Sequence, residues 1–180
     1  MQDLPYHELP PAPPNLDGVS VLMRLVDGIG FRYRWATEGL RAEDLAFRPC
    51  PGAMSIGEVL SHVALLLRWV HGSITETLEH EPEDLQDGDH ADEKKLDQLR
   101  STTLDTVLAL RGALAKIGDE GLTRITITGS TGRGALSFWH MINGPLADTL
   151  THVGQISSWR RMAGNPVPSS NPFRGTPPKD

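Results

Sequence analysis

The chain has 180 residues and a mass of 19.7 kDa, a size that suits one domain with its own hydrophobic core. Its 17 basic and 23 acidic residues give a net charge of -6 without a long basic cluster, so neither nucleic acid nor an anionic membrane is expected as its main partner. The single cysteine, Cys50, excludes an intramolecular disulfide, the N-terminus lacks the pattern of a signal peptide, and no apolar run is long enough to span a membrane. These features predict a cytoplasmic protein.

Two proline-rich segments flank the predicted domain. Residues 1–14 contain five prolines and residues 164–180 contain another five, a composition typical of extended chain. We expect the N-terminal arm, residues 1–14, to lie on the surface or on a partner and not to form a packed element. The helical domain is predicted over residues 15–163, and the C-terminal tail, residues 164–180, is also expected to be extended.

Two helices are predicted in the first half of the chain. Apolar residues recur at helical spacing over residues 19–33, in a helix that Gly28 and Gly30 weaken. The second helix begins at residues 55–58, Ser-Ile-Gly-Glu, which have the form of a capping box, and it is predicted to run to about residue 78.

An acidic segment, residues 79–93, precedes the third helix and predicts a solvated connection in which His80 and His90 face solvent. The third helix is indicated by a stripe at spacings of three and four, formed by Leu96, Leu99, Thr103, Val107, Leu110, Leu114 and Ile117. It is predicted to end near Gly118.

The last part of the chain predicts a fourth helix over residues 138–162, with a kink at residues 143–145 because their proline cannot donate a helical hydrogen bond. Residues 123–137, before it, are rich in β-branched residues and glycine and suit either a short strand or an ordered loop. Four long helices in one small domain, joined by links long enough for crossovers, predict an all-α four-helix bundle.

A carboxylate and an imidazole lie one turn apart in the predicted fourth helix. Asp148 and His152 project from one helix face, as either two metal ligands or a hydrogen-bonded pair would. His62 is polar on an otherwise apolar face of the second helix; alone it is more typical of a hydrogen-bonded core histidine, but with the pair it completes a metal site. Three protein ligands leave positions open for water or substrate, which is typical of a catalytic site.

The run Pro-Gly-Ala-Met-Ser-Ile-Gly-Glu-Val-Leu-Ser-His at residues 51–62 and the sequence His-Val-Gly-Gln-Ile at residues 152–156 together resemble the DinB/YfiT-like superfamily of metal-dependent enzymes. The resemblance extends over about residues 16–163. It implies a four-helix bundle in which His62 and His152 bind a divalent metal such as nickel or zinc.

The chain departs from the family pattern at Asp148, where the family has the first histidine of its HxxxH pair. Carboxylate is an accepted ligand of zinc and nickel, and two histidines with one carboxylate form a familiar site for divalent iron. The added negative charge would make the cation a weaker Lewis acid toward water or a thiol. The alternative interpretation is that Asp148 only hydrogen-bonds His152 and that no metal binds.

Two further polar side chains are candidates for the surroundings of this site. His140 lies two helical turns before Asp148, so it would either hold a ligand in place or replace one if the helix is continuous. Gln155 follows the ligand face by one turn and would orient a ligand or the substrate, unless it has only an ordinary packing role.

Aromatic and basic residues are further candidates for lining a pocket or binding a substrate. Trp69, Trp139 and Trp159 would line a pocket, although aromatic residues at helical spacing more often belong to a core. Arg160 and Arg161 would bind an anionic substrate, or they only follow the preference of helix C-termini for arginine.

The resemblance also implies a function. Characterised relatives include thiol-dependent transferases and a mycothiol-dependent isomerase, which implies a metal-dependent S-transferase that uses a low-molecular-weight thiol on a small-molecule substrate. A metal-dependent hydrolase is the enzymatic alternative, and a non-catalytic helical scaffold that binds a ligand or partner is the alternative from another class. Family members commonly pair through bundle helices, so a homodimer is expected.

Overall fold

The computed structural model describes residues 4–75, 93–128 and 135–179. In chain order its helices are α1 (Gly18–Ala36), α2 (Ile56–Thr75), α3 (Glu93–Arg124), α4 (Phe138–Met141) and α5 (Ala147–Met162). The shorter elements are a 3-10 helix after α1 (Ala42–Ala46), a turn of π-helix between α4 and α5 (Ile142–Leu146), and the antiparallel strands β1 (Thr126–Thr128) and β2 (Ala135–Ser137). His80 and His90 lie outside the described residues.

Each long helix packs against two neighbours. α1 contacts α3 and α5, and α2 contacts the same two helices, so α1 and α2 occupy opposite corners of a bundle. α4, the π turn and α5 together form its fourth helix. The apolar stripes of all four meet in one core, whose buried members include Val26, Ile29, Leu60, Leu67, Leu104, Leu110, Leu146 and Ile156. The predicted all-α four-helix bundle is confirmed.

Local sequence signals mark several helix ends. The capping box of α2 is present, since Glu58 N donates to Ser55 Oγ at 3.2 Å and Ser55 N donates to the Glu58 carboxylate. α3 breaks at Gly118, where φ is 67°, and a short helical stretch continues from there to Arg124. The predicted kink of the fourth helix is the π turn, which contains Pro145.

The N-terminal arm lies against the bundle of its own chain and buries one side chain. Tyr6 is 7% exposed, and its ring occupies the space beside Gly30, where an added Cβ would come within 2.7 Å of the ring. Leu9 N donates to Gly175 O at 2.9 Å, so the arm also contacts the C-terminal tail. The described part of the arm contains no helix or strand, but it is packed at Tyr6, because the missing side chain of Gly30 leaves room for the ring.

Candidate metal centre

The three residues proposed as ligands meet where α2 packs against α5. Asp148 Oδ2 lies 3.4 Å from His62 Nε2 and 3.4 Å from His152 Nε2. One donor atom from each residue lies within 4.8 Å of the other two. The structure therefore brings His62 and Asp148, which are 86 residues apart in the chain, into one site.

Helix geometry explains how the three side chains converge. Asp148 lies in the first turn of α5, directly after the π turn of the fourth helix. His152 follows one turn later on the same face. His62 is half-buried in α2 between the fully buried Ser61 and Val63, and the packing of α2 on α5 turns its imidazole toward Asp148.

The two separations from Asp148 are compatible with ligands of one ion, and all three donor atoms lie within 4.8 Å of one another. A charge-assisted hydrogen bond between nitrogen and a carboxylate oxygen is about 2.7–2.9 Å long, and both distances to Asp148 Oδ2 are 3.4 Å. Ligand atoms held about 2.1 Å from an ion at tetrahedral angles lie about 3.4 Å apart. Two imidazoles and one carboxylate are also a donor set that zinc, nickel and iron accept. The residues present therefore fit a divalent metal.

Gln155 contacts the other nitrogen of the His152 ring. Gln155 Oε1 lies 2.7 Å from His152 Nδ1, and because a carbonyl oxygen only accepts, this contact favours the tautomer with the proton on Nδ1. The lone pair of the ring then lies on Nε2, the nitrogen that faces Asp148. The His62 and His152 rings meet edge to face with centroids 4.8 Å apart. The contact with Gln155 therefore favours the tautomer that a metal ligand at Nε2 needs.

The site opens to solvent on the side of Asp148. The side chain of Asp148 is 46% exposed, whereas that of His152 is only 12% exposed. A depression of about 480 Å³ begins at Asp148 and is lined by residues of α2, β2, α4, the π turn and α5, including Trp69, His140 and Pro145. Trp69 Nε1 is buried and has no hydrogen-bond partner among the described residues. A small molecule in the depression would therefore lie beside Asp148, whereas the indole N–H of Trp69 is shielded from solvent.

A family model described as the DinB superfamily matches residues 31–156. This chain belongs to the DinB superfamily. The match covers well over half of the chain and includes His62, Asp148 and His152. No curated protein matches the chain. Within the described residues, none of the helices of this DinB-superfamily protein has the length and apolar character that crossing a membrane requires.

The remaining candidates of the DinB-superfamily chain have different surroundings. His140 is exposed, and its Nδ1 lies 3.2 Å from Ser137 N at the start of α4, so its described contacts are with Ser137 and not with the three ligand candidates. Trp159 packs against the hydrophobic core. Trp139 is 77% exposed and is absent from the lining of the depression beside Asp148.

Arg160 has a structural role that the sequence does not reveal. Its side chain is 1% exposed, and its guanidinium donates to Ala36 O, Glu38 O and Gly39 O at the end of α1 and to Asn165 O at 3.0 Å. These bonds satisfy carbonyl groups that the end of a helix leaves unpaired. The hypothesis that Arg160 binds an anionic substrate is therefore wrong, whereas Arg161 is exposed.

A buried ion pair was missed by sequence reasoning. Asp27 in α1 is fully buried, and Arg111 Nε of α3 donates to its Oδ1 at 2.8 Å. Burial raises the pKa of Asp27, and the charge of Arg111 opposes that rise. The signal for this pair is an aspartate next to the core residue Val26 in a helix whose neighbouring positions are apolar.

Proposed function

We propose that this DinB-superfamily chain is a metal-dependent S-transferase whose divalent metal, nickel, zinc or iron, is held by His62, Asp148 and His152. The observation that carries the proposal is the convergence of one donor atom from each residue between α2 and α5. When bound, such an ion would lower the pKa of a low-molecular-weight thiol and make its thiolate available at neutral pH.

Each side chain has a distinct role in this proposal. His62 and His152 supply neutral nitrogen ligands, and Gln155 keeps the His152 lone pair on Nε2. Asp148 contributes a negative charge that strengthens the attraction for a cation but moderates its acidity toward a thiol. Because Asp148 is the most exposed of the three, the thiol and its electrophilic partner would approach from the depression beside it.

The depression supports a small-molecule substrate with an apolar body. Its walls include the apolar side chains of Leu66, Met141 and Pro145. A site with apolar walls and few polar groups is typical for small ligands.

A homodimer is part of the same proposal. Large apolar side chains remain exposed on the described surface, including Leu16, Val21 and Leu108, and an interface between two copies would cover such groups.

Metal content tests the site. We expect about one divalent ion per chain in protein purified without chelator, and a loss of most of it in His62→Ala. His140→Ala is the matched control, because it removes an exposed histidine whose described contacts are with Ser137, and it should retain the ion. Equal metal in His62→Ala and wild type would remove His62 from the site.

Turnover separates the transferase from its alternatives. The metal-loaded protein is assayed with N-acetylcysteine and chlorodinitrobenzene, which join as a thioether while chloride and a proton leave. We expect turnover that His62→Ala abolishes and that His7→Ala retains, because His7 is an exposed histidine of the N-terminal arm and does not line the depression. Hydrolysis of nitrophenyl acetate without thiol transfer would favour a metal hydrolase, whereas a metal-free protein with neither activity would favour a binding scaffold.

A further inference from the structure

A second concave site lies on the other side of α5. It is a groove of about 770 Å³ between α1 and α5, bordered by the segment 167–172 of the C-terminal tail. Residues of an α-helix advance by about 100° each, so Ser157 and Arg161, which line the groove, project away from the face of Asp148 and His152. The groove is therefore separate from the candidate metal centre.

Three arginines line this groove, and none of its lining residues is acidic. Arg24 and Arg32 come from α1 and Arg161 comes from α5. Their described hydrogen bonds go to backbone carbonyls, at 2.9 Å to Pro10 O, 3.2 Å to Gly28 O and 3.4 Å to Ser157 O.

None of these three guanidinium groups has a carboxylate within ion-pair distance among the residues that the structure describes. Asp27, whose charge acts on Arg24, is already bound by Arg111 at 2.8 Å. In a chain with a net charge of -6, this groove is a local concentration of positive charge.

The remaining lining is apolar or carries hydroxyl groups. Phe31 and Trp35 are buried beneath the groove, and Leu150 and Val153 form part of its α5 wall. Gly154 leaves that wall open, since a Cβ added there would meet nothing within 4 Å. The groove has a volume in the range of small-ligand sites, with an apolar floor and several guanidinium groups at its rim. It is therefore complementary to an amphipathic anion.

We propose that this groove binds a small organic anion with an apolar body, whose carboxylate or phosphate group is held by Arg32 and Arg161 with Arg24 adding charge. The planar guanidinium presents paired donors that match either head group, so both belong to the same chemistry. The apolar body lies over Phe31 and Trp35.

Fluorescence titration with anilinonaphthalene sulfonate tests the proposal, because this probe combines an anion with an aromatic body. We expect saturable binding of one probe per chain, weakened by about tenfold or more in Arg32→Gln/Arg161→Gln, since hydrogen bonds to charged groups are lost. Gly154→Leu should abolish binding, because the new side chain fills the groove without a clash at its Cβ.

Arg68→Gln is the matched control, since it removes an exposed arginine of α2 outside the groove, and it should bind the probe as wild type does. Melting curves of every variant check that the probe reports a folded protein. At matched ionic strength, displacement by inorganic phosphate assigns a phosphate head group and displacement by benzoate assigns a carboxylate. Unchanged affinity in either groove variant overturns the proposal. The absence of saturable binding also overturns it, and this result would be expected if a second copy of the chain covered the groove.

Discussion

Asp148 is the carboxylate of the candidate metal centre, and its Oδ2 lies 3.4 Å from the Nε2 atoms of both imidazoles. If it is a ligand, Asp148→His should keep the metal, because it restores three nitrogen donors. Asp148→Ala should weaken binding, and Asp148→Asn should weaken it nearly as much, because an amide lacks the charge that attracts the cation. Titration of metal affinity measures these effects.

X-ray absorption on wild type and Asp148→Ala distinguishes a ligand from a neighbour of a ligand. Loss of one oxygen from the coordination shell is expected. Unchanged oxygen and nitrogen counts together with wild-type affinity would mean that the carboxylate never touched the metal. The affinity titration is needed because a water molecule that replaces the lost oxygen would also leave the counts unchanged.

In the proposed site, Gln155 would act on the metal only through its contact with His152. Gln155→Ala should lower metal affinity by roughly 10- to 100-fold while leaving the coordination number unchanged, because it removes the acceptor that fixes the ring proton on Nδ1. Gln155→Glu keeps an acceptor at that position and should retain most of the affinity. Equal affinity in Gln155→Ala and wild type would reduce Gln155 to a packing residue.

At the scale of elements, two helical glycines with opposite surroundings test how the arm docks. Gly30→Ala should destabilise the protein by about 1–3 kcal/mol, because its Cβ would lie 2.7 Å from the Tyr6 ring. Gly112→Ala meets nothing within 4 Å and should stabilise α3 by roughly 0.5–1 kcal/mol. Urea unfolding measures both.

A double substitution supplies the control for the Tyr6 contact. If the ring causes the loss, Gly30→Ala should cost little once Tyr6→Ala is present. A stabilising Gly30→Ala in the full chain would show that Tyr6 does not pack there.

Asp44 links the loop after α1 to the end of α5. Burial raises its pKa, but hydrogen bonds from Arg41 and Asn165 outweigh burial and lower the pKa to about 2. The folded pKa is thus below the unfolded value of about 3.9, so the stabilisation is complete above about pH 4 and is lost as the pH falls toward 2.

The free energy of unfolding of Asp44→Asn at neutral pH should therefore be about 2 kcal/mol lower than that of wild type. Between about pH 4 and pH 2 it should fall less than the free energy of unfolding of wild type does. Urea unfolding across this range measures the difference, with the exposed Asp105→Asn as control. Parallel pH profiles of Asp44→Asn and wild type would contradict the assignment.

At the scale of the whole molecule, light scattering is expected to give the mass of two chains for the full-length protein. A chain without residues 1–14 should remain a dimer but melt at a lower temperature, because the described arm contacts of Tyr6 and Leu9 lie within one chain. The mass of a single chain for the full-length protein would refute the homodimer. Loss of the dimer on shortening would show that the arm reaches a neighbour.

Helical periodicity and local caps were sufficient to predict the four-helix bundle from the sequence. The stripe of α3, the Ser55–Glu58 capping box and the break at Gly118 depend on neighbours a few residues apart, and such short-range patterns can be recognised in the sequence. The resemblance to the family, together with spacing, also named His62, Asp148 and His152 before their positions in space were known.

The features that depend on how the helices pack against one another could be seen only in the tertiary structure. Arg160 looked like an exposed cation at a helix end, but α5 packs beside the end of α1 and buries it against carbonyl groups there. Tyr6 looked like part of an extended arm, but Gly30 gives it a place in the core. The arginine-lined groove combines residues of α1, α5 and the tail, which are far apart in the chain, so no local pattern marks it. Periodicity shows which face of a helix is apolar, but long-range packing sets which element lies against that face. That packing determines whether a polar side chain becomes a cap, a ligand or part of the wall of a groove.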